Sequence, residues 1–292
     1  MWRSLLQSWI EQQARAKIYE KLAEKSGQPG EQVSEETGLA SPPPPADVGL
    51  VFALAIEAGG LEDLLESVVV TRAPSLVVRQ GTLKTRSIVI VESGMGREAA
   101  TRGTEALVAG HRPAWVISAG FAGALVPQLA RNDIVMVDSV VDMSGQRLSL
   151  DLKVSPEALA GLRGVHVGRL LTVDQIIAKP EEKRALAEAH GAIAVDMESS
   201  AVAEVCRQQK IKFMAVRVIS DTLDEELPPE ISQLAQQTSF AGKLGAVTGA
   251  LWRRPSSVKD MLKLKEQALL ATDRLAKFLV GVIEQLSVGS RQ

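Results

Sequence analysis

The sequence predicts an α/β fold, an α/β sandwich built on a mixed sheet. Runs rich in Val and Ile alternate with helical stretches, several strands follow one another directly, and glycine-rich turns follow two of the strands. In chain order, a strand is expected at Val48–Leu54 and a helix from Ile56 to Leu65. Strands follow at Val68–Val70, Leu76–Arg79 and Ser87–Glu92, then a helix from Arg97 to Ala109. Trp115–Ser118, Asp133–Val141 and Val165–Leu171 read as strands and Lys179–Ala189 as a helix. A short strand at Ala192–Val195, a helix at Met197–Gln208 and a strand at Phe213–Ile219 complete the alternation. Beyond Asp221 the chain turns acidic and then Gln/Ser/Gly-rich, with Pro228, Pro229 and Pro255 as breakers. A long helix from Ser257 to Leu286 then sets Leu269, Leu275, Phe278, Leu279, Val282 and Ile283 on one face and is expected to cover the sheet.

Ahead of this body, residues 2–25 carry Trp2, Leu5, Leu6, Trp9, Ile10, Ile18 and Leu22 at helical spacing among Arg3, Arg15, Lys17, Lys21 and Lys25. Such an amphipathic helix most often docks on its own protein or on a second subunit. Tryptophans beside basic residues also suit a peripheral membrane contact. Residues 26–46 are polar and end in four consecutive prolines, a stiff spacer. The division is therefore 1–46, helix plus Pro-rich linker, and 47–292, a single α/β domain ending in a long C-terminal helix.

With 292 residues, 46% of them hydrophobic, one large core plus appendages is the simplest organisation. A net charge of −2 offers no electrostatic footprint for nucleic acid and favours a small-molecule partner. The lone cysteine, Cys206, excludes an internal disulfide framework, and His111, His166 and His190 lack metal-ligand spacing. The charged N-terminus does not read as a secretion signal, so a reducing, cytoplasmic setting without a metal is expected.

Carboxylates at strand ends and helix starts are the candidates for chemistry, because those positions converge on one rim of an α/β sheet. Glu198 lies at the start of a helix and Asp221 at the end of a strand, while Glu57 follows the first strand. Each has a structural alternative: a cap, or a charge complementing a helix dipole. Arg217 lies within a run of Ala, Val and Ile, where a charge requires a carboxylate partner. Ser93-Gly94-Met95-Gly96 reads as a strand-to-helix turn whose free amides can hold a hydroxyl or an anion. Ser118-Ala119-Gly120-Phe121-Ala122-Gly123 reads as a second such turn. Neither has the spacing of a Walker loop or a dinucleotide fingerprint.

In this order, the motifs from Val48 to about Asp224 resemble those of the nucleoside phosphorylase superfamily. They are most similar to the 5′-methylthioadenosine/S-adenosylhomocysteine nucleosidases and the hopanoid-associated phosphorylases. The matching pieces are Val48–Glu57, Ser93–Gly96, Ser118–Gly123 with Asn132–Val135, Leu171–Asp174, Val195–Cys206 and Val216–Asp221. The resemblance implies a three-layer α/β/α sandwich with a central mixed, partly barrel-like sheet, and cleavage of an N-glycosidic bond without a cofactor. It implies that Asp221, oriented by Ser220, protonates or hydrogen-bonds N7 of a departing purine. Glu198 would hold the ribose hydroxyls, and Met197 would pack on the sugar. Glu57 would activate water, with Arg217 and Ser93 positioning it. Gly94, Gly120, Phe121, Ile176 and Ile177 complete the implied substrate-binding set.

Two features depart from the nucleosidases. Ile176 stands where they usually carry a purine-stacking Phe, leaving Phe121 as the candidate aromatic face. Asp196-Met197-Glu198 replaces the usual Glu-Met-Glu and, like Gly-Phe-Ala-Gly at 120–123, leans toward the hopanoid-associated branch. Phosphorylases of the superfamily bring an arginine to phosphate from the loop after the first strand, but here that loop offers Glu57, which favours water as the nucleophile. The leading expectation is thus a purine nucleosidase acting on a 5′-substituted nucleoside such as methylthioadenosine or S-adenosylhomocysteine. A phosphate-dependent phosphorylase, including one that processes an adenosyl-hopanoid, and a catalytically silent nucleoside-binding protein are the alternatives. Homo-oligomerisation, with a dimer favoured, follows from the same resemblance.

Overall fold

Among the described residues ten strands form one sheet, and its organisation follows from a change of partners along a single central strand. The computed structural model describes residues 44–74, 76–150, 162–228 and 256–287, with side chains of the last helix from residue 266 onward. The expected amphipathic helix at 2–25, most of the spacer and the segment 229–255 lie outside the described residues.

The order is β1 (Val48–Phe52), α1 (Ala55–Glu62), β2 (Glu66–Ala73), β3 (Leu76–Leu83), β4 (Arg86–Glu92), α2 (Arg97–His111) and β5 (Trp115–Ala124). Then come β6 (Ile134–Asp142), β7 (Arg147–Ser149), β8 (Val165–Thr172), α3 (Pro180–His190), β9 (Ala194–Asp196), α4 (Ser199–Gln208), β10 (Lys212–Asp221) and α5 (Ser256–Gln285). Strands β5, β10, β6, β8 and β9 pair in a closed circuit, a small barrel. From the first half of β5 the sheet continues outward through β1, β4, β3 and β2. The mixed, partly barrel-like sheet is the one expected.

The layers follow from the two-residue period of the strands. Leu50, Phe52, Ile88 and Ile90 point to one face and pack with Leu275, Leu279 and Ile283 of α5. Val51, Val89 and Val91 point to the other, against Leu107 of α2 and Val202 and Cys206 of α4. Leu275, Leu279 and Ile283 have no exposed surface, and burying each contributes about 1.5–3 kcal/mol. The apolar face of the C-terminal helix covers the sheet from Ala271 onward, whereas Leu269, which the periodicity set on that face, lies ahead of this contact and is exposed.

One segment is built differently from its sequence reading. Ser118–Gly123 is not a turn: β5 runs straight through it, pairing Gly120 with Arg217, Phe121 with Val218, Ala122 with Ile219 and Gly123 with Asp221. Its small residues serve the crossing from outer sheet to barrel rather than a reversal of the chain. The hairpin strand β7 was not anticipated, and α4 begins at Ser199 with Glu198 as its N-cap rather than at Met197.

Candidate active site

Along one edge, β5 pairs with β1 at Trp115–Ser118 and with β9 only at Gly123 and Ala124. The residues between have no strand on that side, and a cavity of about 510 Å³ opens there. It is a switch point of the kind at which α/β sheets bind ligands.

Glu57, in the first turn of α1, enters this gap. It is 6% exposed, and its Oε1 accepts the Phe121 N–H at 2.8 Å while Oε2 accepts the Leu54 N–H at 2.8 Å. The amide of β5 left without a strand is thus satisfied by a carboxylate. Gly120 has φ +154°, and a Cβ there would lie 2.6 Å from Glu57 Oε1, so only glycine leaves room. Burial raises the Glu57 pKa above its ordinary value, with the Phe121 amide and the charge of Arg217 opposing.

Glu198 stands at the head of α4. Its Oε1 accepts the Gly96 N–H at 2.7 Å and its Oε2 the Met197 N–H at 3.3 Å. Gly94 and Gly96, at φ +87° and +90°, make Ser93–Gly96 a genuine turn, and the anion its last amide holds is the protein's own carboxylate. Burial, aided by the neighbouring charges of Asp196 and Glu57, pushes the Glu198 pKa up to about 8. The carboxyl lies deep in the fold while one face stays open to the cavity.

Arg217 finds the partner its strand demanded. Its Nη2 donates to Asp196 Oδ2 at 2.6 Å, Ser118 Oγ at 2.7 Å and Ser199 Oγ at 2.8 Å, and its Nε reaches the same Asp196 oxygen at 3.0 Å. Asp196 also accepts the Thr172 hydroxyl at 2.8 Å and the Ser199 N–H at 2.9 Å. Arg217 is 2% exposed. This network ties β5, β8, β9, β10 and the start of α4 together, with Asp196 at the cavity wall and Arg217 behind it.

Asp221 ends β10, and the Ser220 hydroxyl donates to its Oδ1 at 2.6 Å. Its Oδ2 accepts from Lys183 Nζ at 2.6 Å, and the same ammonium donates to the carbonyls of Thr222 at 2.8 Å and Glu225 at 2.9 Å. Gly123 leaves space beside it: a Cβ there would lie 3.0 Å from Asp221 Oδ2, a tight contact that would press on the carboxylate.

Glu57, Phe121, Met197, Glu198, Ser220 and Asp221 all line the cavity, as do Ile176 and Ile177. Ser93, Gly94, Gly120 and Arg217 are not among its lining residues. Ser93 turns its hydroxyl to the carbonyls of Phe52 and Gly94, and Arg217 is committed to the buried network, so both shape the wall from behind. Lys183 was missed: Pro180-Glu181-Glu182-Lys183-Arg184 reads as a solvated first turn, yet Lys183 has no exposed surface. Ala268 and Ala271 of α5 also line the cavity, placed by a fold that no local motif reports. Arg131 at the rim donates to the Ser220 carbonyl and to Glu225.

A cavity at a sheet switch point, lined by the carboxylates of Glu57, Asp196, Glu198 and Asp221, defines a small-molecule site of polar orientation and apolar walls. The chain belongs to the phosphorylase superfamily, whose family model matches residues 47–248. It is 30% identical over 225 residues to a 5′-methylthioadenosine/S-adenosylhomocysteine nucleosidase of Haemophilus influenzae, covering 68% of this chain and 97% of that protein. With the corresponding enzyme of Actinobacillus succinogenes it shares 31% identity over 200 residues, 61% of this chain and 87% of the other. The same fold appears in the Neisseria meningitidis nucleosidase in complex with methylthio-immucillin-A. The TM-score is 0.64 at 20% sequence identity, over 82% of this chain and 99% of that one.

Proposed function

We propose that this protein is a purine nucleosidase that hydrolyses the N-glycosidic bond of a 5′-substituted nucleoside such as methylthioadenosine or S-adenosylhomocysteine. Homology to the nucleosidases supports an activity of that type, and the observation that carries the finer reading is the setting of Glu57. A buried carboxylate with a raised pKa, fixed by two backbone amides at the cavity wall, suits a general base that takes a proton from water. Glu198 holds the ribose hydroxyls and Asp221 serves the leaving base, on the opposite side of a sugar that becomes cationic as the bond breaks.

Water is favoured over phosphate because the arginines nearby are already engaged. Arg97 Nη1 donates to Ser200 Oγ at 2.9 Å, and its guanidinium lies 3.6 Å from Asp142 and 3.8 Å from Asp174. Arg131, the arginine among the described cavity-lining residues, is bound to Glu225. Val173, Ile176, Ile177 and Leu227 give the cavity aliphatic walls, which suit a purine face and a thioether and do not discriminate among 5′ substituents. A cytoplasmic homodimer, with residues 2–25 docking on protein or membrane, belongs to the same proposal, and sedimentation with and without vesicles tests it.

Screening a panel of nucleosides for base release, with and without phosphate, tests the reaction. Release without phosphate is expected. Release only on adding phosphate would reassign Glu57, and adenosyl-lipid preference would appear in the same panel.

A further inference from the structure

The cavity wall holds a group that the reading above does not use. Lys183 comes from the first turn of α3, has no exposed surface, and spends its three N–H bonds on Asp221 Oδ2, the Thr222 carbonyl and the Glu225 carbonyl. Every donor of an ammonium is thereby matched. Two neighbouring arginines are already paired, Arg131 with Glu225 and Arg184 with Asp224.

Of the two carboxyl oxygens, the one that already accepts from an ammonium, Oδ2, is the less favourable place for a proton, because the proton would face that cation. Asp221 Oδ1 is different, because its neighbour is the Ser220 hydroxyl. That hydroxyl has two acceptors in reach, Asp221 Oδ1 at 2.6 Å and the Ala122 carbonyl at 3.2 Å. When Oδ1 carries a proton, the hydroxyl can donate to Ala122 instead. When Oδ1 gives the proton up, it can return.

We propose, on the nucleosidase reading given above, that Lys183 is a positioning residue that selects Oδ1 as the proton-bearing oxygen of Asp221 and stabilises the carboxylate left behind. As the bond from sugar C1′ to the base breaks, its electron pair stays with the base. The proton on Oδ1 passes to a ring nitrogen of the base, and Asp221 becomes a carboxylate bridged by Lys183 on Oδ2 and Ser220 on Oδ1. Solvent restores the proton before the next turnover. A fixed cation aimed at a charge that develops during the reaction is the most effective form of electrostatic assistance.

The test compares two leaving groups on the same sugar in the full-length protein: adenine, which needs a proton, and 4-nitrophenolate, which leaves without one. Lys183→Met should lower kcat for the adenine nucleoside about 10²–10³-fold, within the range of general acid catalysis. KM should stay within a few-fold, and the 4-nitrophenyl glycoside should lose less than about tenfold. Lys183→Met combined with Asp221→Asn should be no slower than Asp221→Asn alone, because the two residues act as one unit. Equal losses on both leaving groups, or a further loss in the double variant, would overturn the assignment and leave Lys183 a structural residue. If Lys183→Met does not fold, the double variant removes both charges of the pair and decides alone. Absence of base release by the unaltered protein, with or without phosphate, would overturn the nucleosidase reading itself, an outcome distinct from either loss pattern.

Discussion

The two ends of the cavity hold their carboxylates by opposite means. At the end bounded by α1 and α4, Glu57 and Glu198 are held by backbone amides and lack a cation at hydrogen-bonding distance among the described residues. At the barrel end, Asp221 is clamped by the ammonium of Lys183, and Asp196, also at the cavity wall, is clamped from behind by the guanidinium of Arg217. Amides orient a carboxylate without neutralising it, so burial raises its proton affinity and prepares it to accept a proton. An adjacent cation instead balances the charge of the carboxylate it clamps and fixes one of its oxygens in place. On the proposed function, these partners divide the carboxylates into base, ligand holder, acid and brace.

Removing the amide-held base should have the largest effect. Glu57→Gln is expected to lower base release about 10³-fold or more with little loss of thermal stability, as steady-state rates and a melting curve would show. A variant with full activity would end the role of Glu57. Breaking the cation-held brace should act on folding instead. Arg217→Met leaves Asp196 buried without its partner and is expected to destabilise the protein by about 3–5 kcal/mol, read as a lower denaturant midpoint; an unchanged midpoint would mean that the network is not a brace.

Gly120→Ala directs a Cβ to within 2.6 Å of Glu57 Oε1. It should reduce kcat in the same direction as Glu57→Gln but to a lesser extent, and kcat equal to that of the unaltered protein would show that the carboxylate is not confined there. The smallest effect is expected from pH. Because Glu198 binds its proton more tightly in the folded protein, up to about 8 against an ordinary 4.5, ionising it disfavours the fold. Its contribution to stability is complete below pH 4.5 and is lost as pH rises through about 8. Glu198→Gln should therefore show a smaller fall in Tm between pH 5 and pH 9 than the unaltered protein, and parallel curves would contradict the raised value.

Much of this contrast was legible before the structure. Strand ends and helix starts are local features, so Glu57, Glu198 and Asp221 could be singled out as candidates from the alternation of elements, although their roles came only from the family resemblance. A charged residue in an apolar strand announced that Arg217 needed a partner. The identity of that partner, and the whole of Lys183, depended on long-range pairing: α3 meets the end of β10 across the barrel, and nothing in a Lys-Pro-Glu-Glu-Lys-Arg stretch distinguishes a buried lysine from a solvated one. Ser118–Gly123 misled for a related reason. Glycines that clear space for Glu57 and Asp221 within a strand look the same in sequence as glycines that reverse the chain.

The nature of the nucleophile is tested most directly by running the reaction in ¹⁸O-labelled water with phosphate present and analysing the sugar by mass spectrometry. Water activated by Glu57 predicts a free sugar carrying ¹⁸O at C1′. A sugar 1-phosphate without the label would contradict it.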